Sequence, residues 1–217
     1  SRNESISEEY FNDYLSAIES IGKANKKSKR KSLDGISIKI SALYSRYVLN
    51  QYENVHGVLY ERLKKLVQKA KEYDLQVTVD AEEVARLELS LSLLERLWKE
   101  PEFSDYEHLG LAVQAYQKRA PYVIDFVLNI AKETNKKIPV RLVKGAYWDT
   151  EIKLSQENGY ADYPLFTRKV HTDISYIACA NKMLDNVDLI FPQFATHNAH
   201  TIALVRELSI DKKVSAN

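Results

Sequence analysis

The chain is expected to be an α/β protein of the (β/α)8, TIM-barrel type, and three observations carry that expectation. Strand-like segments alternate with long helical patterns rich in Leu, Glu and Lys; the first four strand segments are apolar on one face only; and a functional side chain stands at or near the C-terminal end of each of those four. The strand segments are 36–40, 75–79, 109–113, 140–143 and 189–194. Ile36, Ile38 and Ile40, then Leu75, Val77 and Val79, then Leu109, Leu111 and Val113, then Val140 and Leu142 make the apolar faces. The opposite faces carry small or polar residues and end in Lys39, Asp80, Gln114 and Arg141.

This two-faced pattern separates two architectures. A doubly wound sheet buries both faces of its central strands under helices and reads as nearly continuous apolar runs. A barrel sets one face against outer helices and turns the other into a restricted interior. Active sites of (β/α)8 barrels are assembled at the C-terminal ends of several strands, so Lys39, Asp80, Gln114 and Arg141 are expected to converge at one mouth. About five of eight strands are visible, and after Phe194 only a helical pattern through Leu208 follows before Asn217. The expectation is therefore a C-terminally truncated piece of a barrel, whose remaining strands come from elsewhere.

Ahead of the barrel, Tyr10, Phe11, Tyr14, Leu15, Ile18 and Ile21 recur at helical spacing, predicting a helix from Ser7 that ends near Gly22. Six lysines and arginines then fall in the nine residues from Lys23 to Lys31, without an aromatic. A solvated connecting loop is the expected reading, with a nucleic-acid or lipid-headgroup patch as the alternative. Residues 1–35 are thus read as an N-terminal helix and basic loop, and 36–217 as the partial barrel.

Composition excludes several classes. In 217 residues, 31 basic and 30 acidic side chains leave a formal charge of +1, so no global field points to nucleic acid or an anionic membrane. Cys179 is the single cysteine, which rules out an internal disulfide and fits a reducing compartment. Without a run of eighteen apolar residues or a signal-peptide core, the chain reads as cytoplasmic, with peripheral membrane attachment left open.

The densest chemistry lies in Arg141-Leu142-Val143-Lys144-Gly145-Ala146-Tyr147-Trp148-Asp149, a strand running into a loop with two cations, one glycine and adjacent aromatics. Such a loop suits an anionic, flat ligand approached closely by backbone; the alternative is a strand end with solvated charges and packed rings. The six glycines never form G-x-G-x-x-G. His197 and His200, three apart, are placed where they could share a helix face, a weak metal signal without further ligands. Cys179 reads as a small buried helix residue. Asp80 with Glu82 and Glu83 reads either as an acid/base cluster or as the acidic first turn of a helix.

Five segments carry a family resemblance: Ser37 to Leu43, Val79 to Glu83, Arg141 to Asp149, Thr167 to Val170 and Phe191 to Asn198. In that order they resemble the proline dehydrogenase domain of the bacterial bifunctional proline utilization A family, a distorted (β/α)8 barrel with noncovalent FAD. The resemblance implies oxidation of L-proline to Δ1-pyrroline-5-carboxylate, with a hydride passed to the flavin and electrons then passed to membrane quinone. It places Arg141, Asp80 and Gln114 beside the flavin, and Val143, Lys144, Gly145, Ala146, Tyr147 and Trp148 around it. Thr167, Arg168 and Lys169, with Thr196, His197 and Asn198, match segments along the phosphates and adenosine, and Lys39 matches a lysine that pairs with the proline carboxylate. Lys39, Asp80 and Arg141 are the catalytic set so implied. An Arg–Arg pair and a tyrosine that the family uses on the substrate have no counterpart after Asn198, and the family's aldehyde dehydrogenase domain has none anywhere in the chain. Two other readings stay open: a barrel lyase or aldolase using Lys39 as a Schiff-base amine, and a non-catalytic barrel fragment whose basic segment contacts DNA.

Overall fold

The computed structural model describes residues 1, 3–28 and 34–214. The chain divides into two compact units, one made of Ser1–Ala81 with Ala85–Leu111, the other of Glu82–Val84 with everything from Ala112 onward. Five parallel strands in chain order run through them, and the third strand begins in the first unit and ends in the second. This is the α/β architecture of TIM-barrel βα units; the five strands among the described residues are short of the eight that close such a barrel.

In the first unit, α1 (Glu4–Ser28) precedes β1 (Gly35–Ile38), which leads into α2 (Ile40–Leu43). A short α3 (Tyr52–Asn54) and a π-helical turn, Val55–Leu59, open into α4 (Tyr60–Glu72). Next come β2 (Gln76–Val79), α5 (Leu87–Lys99) and the start of β3 (Leu109–Gln114). β1 ends two residues earlier than its apolar pattern predicts. The carbonyl of Lys39 already accepts from the amide of Ala42, so Ile40 is buried from a helical turn rather than from a strand.

α1 also departs from expectation, running through Gly22 to Ser28. Gly22 does not terminate the helix; it lets it pass the Tyr73 ring at the end of α4, since a Cβ there would lie 2.2 Å from that ring. Lys26 sits over the same ring at 4.7 Å, and Lys26 and Lys27 in the last turn complement the helix dipole. The basic segment is therefore helical as far as Ser28 rather than a connecting loop, and residues 29–31 lie outside the described residues.

α4 buries Leu63, Leu66, Val67 and Ala70, a stripe at three- and four-residue spacing. It closes with Asp74 at φ 54°, where the amide of Leu75 donates to Ala70 and that of Asp74 to Lys71. That double bond is a Schellman cap, and it turns the chain directly into β2. Trp98 Nε1 donates to Leu109 O at 3.0 Å and the Tyr106 hydroxyl to Leu75 O, so the large buried rings also satisfy strand-end carbonyls.

In the second unit β3 finishes, followed by α6 (Ala120–Thr134), β4 (Ile138–Val143), α7 (Trp148–Glu157), α8 (Lys169–Leu184), β5 (Ile190–Phe194) and α9 (Ala199–Asp211). Asn135 at φ 52° repeats the Schellman cap between α6 and β4, with the amide of Lys136 donating to Ala131. β4 and β5 pair from Ile138↔Ile190 to Leu142↔Phe194. Lys182 on α8 reaches both carboxylate oxygens of Asp125 on α6 at 2.8 Å, locking the two helices.

All residues of β2 and β3 are buried on both faces. Within β2, Gln76 Nε2 donates to Thr78 Oγ1 at 3.1 Å. A second face that is polar yet enclosed is what a barrel interior requires.

Gly22→Ala gains helix propensity, about 1 kcal/mol, but drives a methyl into Tyr73, at a cost of about 1–3 kcal/mol. Net destabilisation in urea is expected; a variant more stable than the parent would show that the ring yields freely.

Candidate active site

The site is built on the end of β4 and the loop beyond it. Arg141 is half-buried at the fourth position of β4, register partner of Gln193, between the buried Val140 and Leu142. Past the strand the loop stays attached to the end of β3: Ala115 N–H donates to Val143 O and Tyr116 N–H to Lys144 O, both at 2.8 Å. Gly145 follows at φ +145°, a conformation L side chains rarely adopt, and a Cβ there would fall 2.5 Å from the Tyr116 ring. Glycine is thus demanded twice, by backbone and by contact.

Gln114, the last residue of β3, is 3% exposed. Its Oε1 accepts from Ala146 N–H at 3.1 Å and its Nε2 donates to Glu82 O at 2.9 Å. The partners' chemistry fixes the amide's orientation, and both ends are occupied in holding backbone. Glu82 and Glu83 lie ahead of a 3-10 turn, Val84–Arg86, not in an α-helical first turn. That segment is clamped further where Glu151 Oε1 accepts from Val84 N–H at 2.7 Å and Arg119 donates to Val84 O. Glu151 is buried in the first turn of α7, beside the helix dipole's positive end.

Tyr147 precedes α7 and Trp148 opens it, with the indole 42% exposed and its Nε1 donating to Phe166 O at 3.1 Å. Phe166 N–H in turn donates to Tyr116 O at 2.8 Å. Tyr116 therefore meets both loops, and burial, then the Glu151 charge, pushes its phenol well above the ordinary range, keeping it neutral.

Lys144 ion-pairs with Asp173 on α8, whose other oxygen takes Lys169 at 2.7 Å. Hydrogen bonds from Lys144 and then Lys169 hold the Asp173 carboxyl below the usual carboxylate range. Arg168 stands at the N-cap of α8, and Thr167 and Arg168 are exposed. A cavity of about 700 Å³ between α8 and α9 is lined by Val170, Asp173 and Ile174 on one side and Asn198, His200 and Thr201 on the other. Asn198 caps α9, its Oδ1 accepting from Thr201 N–H at 2.9 Å, while its own N–H donates to Thr196 Oγ1. His197 lies ahead of α9 and His200 within it, so the two do not share a helix face.

The second unit thus gathers Gln114, the 141–148 loop and 167–169, and Asp173 brings 169 to the cavity that Asn198 lines. In the first unit, Lys39 is exposed just beyond β1, its amide donating to Tyr14 Oη at 3.1 Å, and Asp80 is half-buried just beyond β2, its amide donating to Ile38 O at 2.9 Å. Cys179 is 1% exposed and burial pushes its thiol up to about 11, the state of a packed residue rather than a nucleophile. Sequence reading missed Tyr116, Glu151 and Asp173. Asp173 alone had a local signal, its position four residues after Lys169.

Gly145→Ala is expected to cost about 2 kcal/mol or more, combining a strained φ with a ring clash, and to shift the near-ultraviolet signal of Tyr147 and Trp148. An unchanged urea midpoint would refute the contact's importance.

A proline dehydrogenase family model matches residues 1–217. Over 200 residues the chain is 50% identical to the bifunctional protein PutA of Klebsiella aerogenes, covering 92% of this chain and 15% of that protein. The identity and coverage are the same for the PutA of Escherichia coli strain K12. A crystal structure of a Bradyrhizobium japonicum proline utilization A variant superposes with a TM-score of 0.93 at 48% identity, covering 97% of this chain and 22% of that one. The chain spans about 15% of the length of these curated relatives. By the family match across its whole length, and by half-identity to relatives over nearly all of it, the chain belongs to the proline dehydrogenase family.

Proposed function

We propose that this chain is part of the catalytic barrel of an FAD-dependent enzyme that oxidises L-proline to Δ1-pyrroline-5-carboxylate. The observation that carries the reading is the loop from Arg141 to Trp148, held against β3 by Gln114 and Tyr116, in a chain of the proline dehydrogenase family. The donor set fits a flavin dinucleotide. Half-buried cations at Arg141 and Lys144 suit anionic oxygens, Gly145 permits close backbone approach, and an exposed indole at Trp148 offers a flat apolar surface. The cavity between α8 and α9 is lined by both polar and apolar side chains, a mixture that suits a nucleoside end.

When bound, FAD supplies the two-electron acceptor that no amino-acid side chain provides. Arg141 contributes a fixed positive charge where negative charge develops. Val143, Ala146 and Tyr147 would hold the ring system, and Lys144, Arg168 and Lys169 the diphosphate. Thr167, Thr196, His197 and Asn198 would hold the adenosine. In this reading Lys39 pairs with the proline carboxylate, and Asp80 is a polar group beside the flavin. A membrane quinone would be the electron acceptor in this reading, approached by a cytoplasmic protein. Among the described residues no helix is long and apolar enough to cross a membrane. The relatives named bifunctional, of whose length this chain covers about 15%, support a longer parent chain.

The full-length protein is expected to show the visible bands of oxidised flavin and to bleach on anaerobic addition of L-proline. A colourless protein that gains no flavin absorbance when FAD is added would overturn the reading. Arg141→Met is expected to lower kcat by about 10²–10³ and to move the flavin midpoint potential more negative; an unchanged potential would remove Arg141 from its assigned role.

A further inference from the structure

The two lysines assigned to the diphosphate come from different elements, Lys144 from the loop after β4 and Lys169 from the first turn of α8. Neither is placed by its own backbone, because a lysine side chain is long and rich in rotamers. Both end on one carboxylate. Asp173 takes Lys144 on Oδ1 and Lys169 on Oδ2, one turn above Lys169 on the same helix. Lys144 is further confined by Tyr176, whose ring centre is 5.9 Å from Nζ. Within the trio, two ammonium groups share one anion, leaving one positive charge for a ligand. Asp173 also lines the cavity between α8 and α9, with its side chain 35% exposed.

We propose that Asp173 is a positioning residue for the diphosphate of the dinucleotide, ordering Lys144 and Lys169 before the ligand arrives. The proposal rests on the flavin reading above. It makes a prediction opposite in sign to simple electrostatics. A carboxylate near a bound diphosphate repels it, so a bystander aspartate, once neutralised, should leave the anion more tightly held. A positioning aspartate, once neutralised, releases two rotamer-rich side chains whose ordering the ligand must then supply.

The test uses the full-length protein stripped of flavin, with FAD, ADP and riboflavin as probes, in the wild type, Asp173→Asn and Asp173→Glu. Asp173→Asn is expected to weaken FAD and ADP about ten-fold while leaving riboflavin, which lacks the diphosphate, unchanged. Asp173→Glu, which keeps the charge, is expected to recover much of the loss. In a Lys144→Met background the effect of Asp173→Asn should shrink, because one of its two clients is gone. Equal or tighter FAD binding by Asp173→Asn overturns the proposal, as does an equal loss for riboflavin, which marks a structural role. Should Asp173→Asn fail to fold, Asp173→Ser is read in its place: weakened FAD binding with riboflavin unaffected supports positioning, and equal losses, or FAD binding as tight as the wild type's, overturn it. Failure of the wild type to bind FAD at all instead brings down the flavin reading on which the proposal stands.

Discussion

A single buried amide sets the geometry on which the second unit depends. Gln114 ends β3 with its side chain enclosed, one end donating to the carbonyl of Glu82 and the other accepting from the amide of Ala146. A buried polar group left without partners costs about 1–3 kcal/mol, so both backbone segments are held in register with the strand that carries the glutamine. What looks from the sequence like a hand offered to a ligand is occupied in holding the chain. The geometry of the loop follows from where Ala146 is fixed.

Tyr116 extends that constraint by packing rather than by polarity. Its ring accepts the bare backbone of Gly145, its amide donates to Lys144 O, and its carbonyl accepts from Phe166, which takes Trp148 Nε1. Three stretches distant in sequence are thereby drawn together around one aromatic ring. Glu151 adds the segment 82–84 through the amide of Val84. Close packing of this kind leaves few small adjustments available, which is how a loop can be as fixed as the strands that bear it.

Charge is arranged with the same economy. Arg141 sits half-buried on a strand, whereas Lys144 and Lys169 reach from a loop and a helix end to the shared carboxylate of Asp173. The carboxyl stays ionised well into acid because both lysines favour its charged form. Lys144 is therefore not an isolated cation but part of a trio carrying one net positive charge.

The alternation of strands and helices, the apolar faces and the strand-end positions of Lys39, Asp80, Gln114 and Arg141 were legible because they arise from short-range periodicity and from residue type, which burial enforces locally. So was the loop from Arg141 to Trp148, whose composition is unusual in itself. Less could be read where the deciding contact is remote. Gly22 looks like a helix end until Tyr73 is seen against it, and Ile40 looks like strand until the Lys39 carbonyl is seen to start a turn. Tyr116, Glu151 and Asp173 are ordinary in the sequence, since each acts through a partner dozens of residues away. The amino-acid order determined which elements form and which side chains stand at their ends, because those depend on local propensity and pattern; the tertiary structure alone decided that Gln114 among them holds two backbone segments together, because that role is made by hydrogen bonds between distant segments.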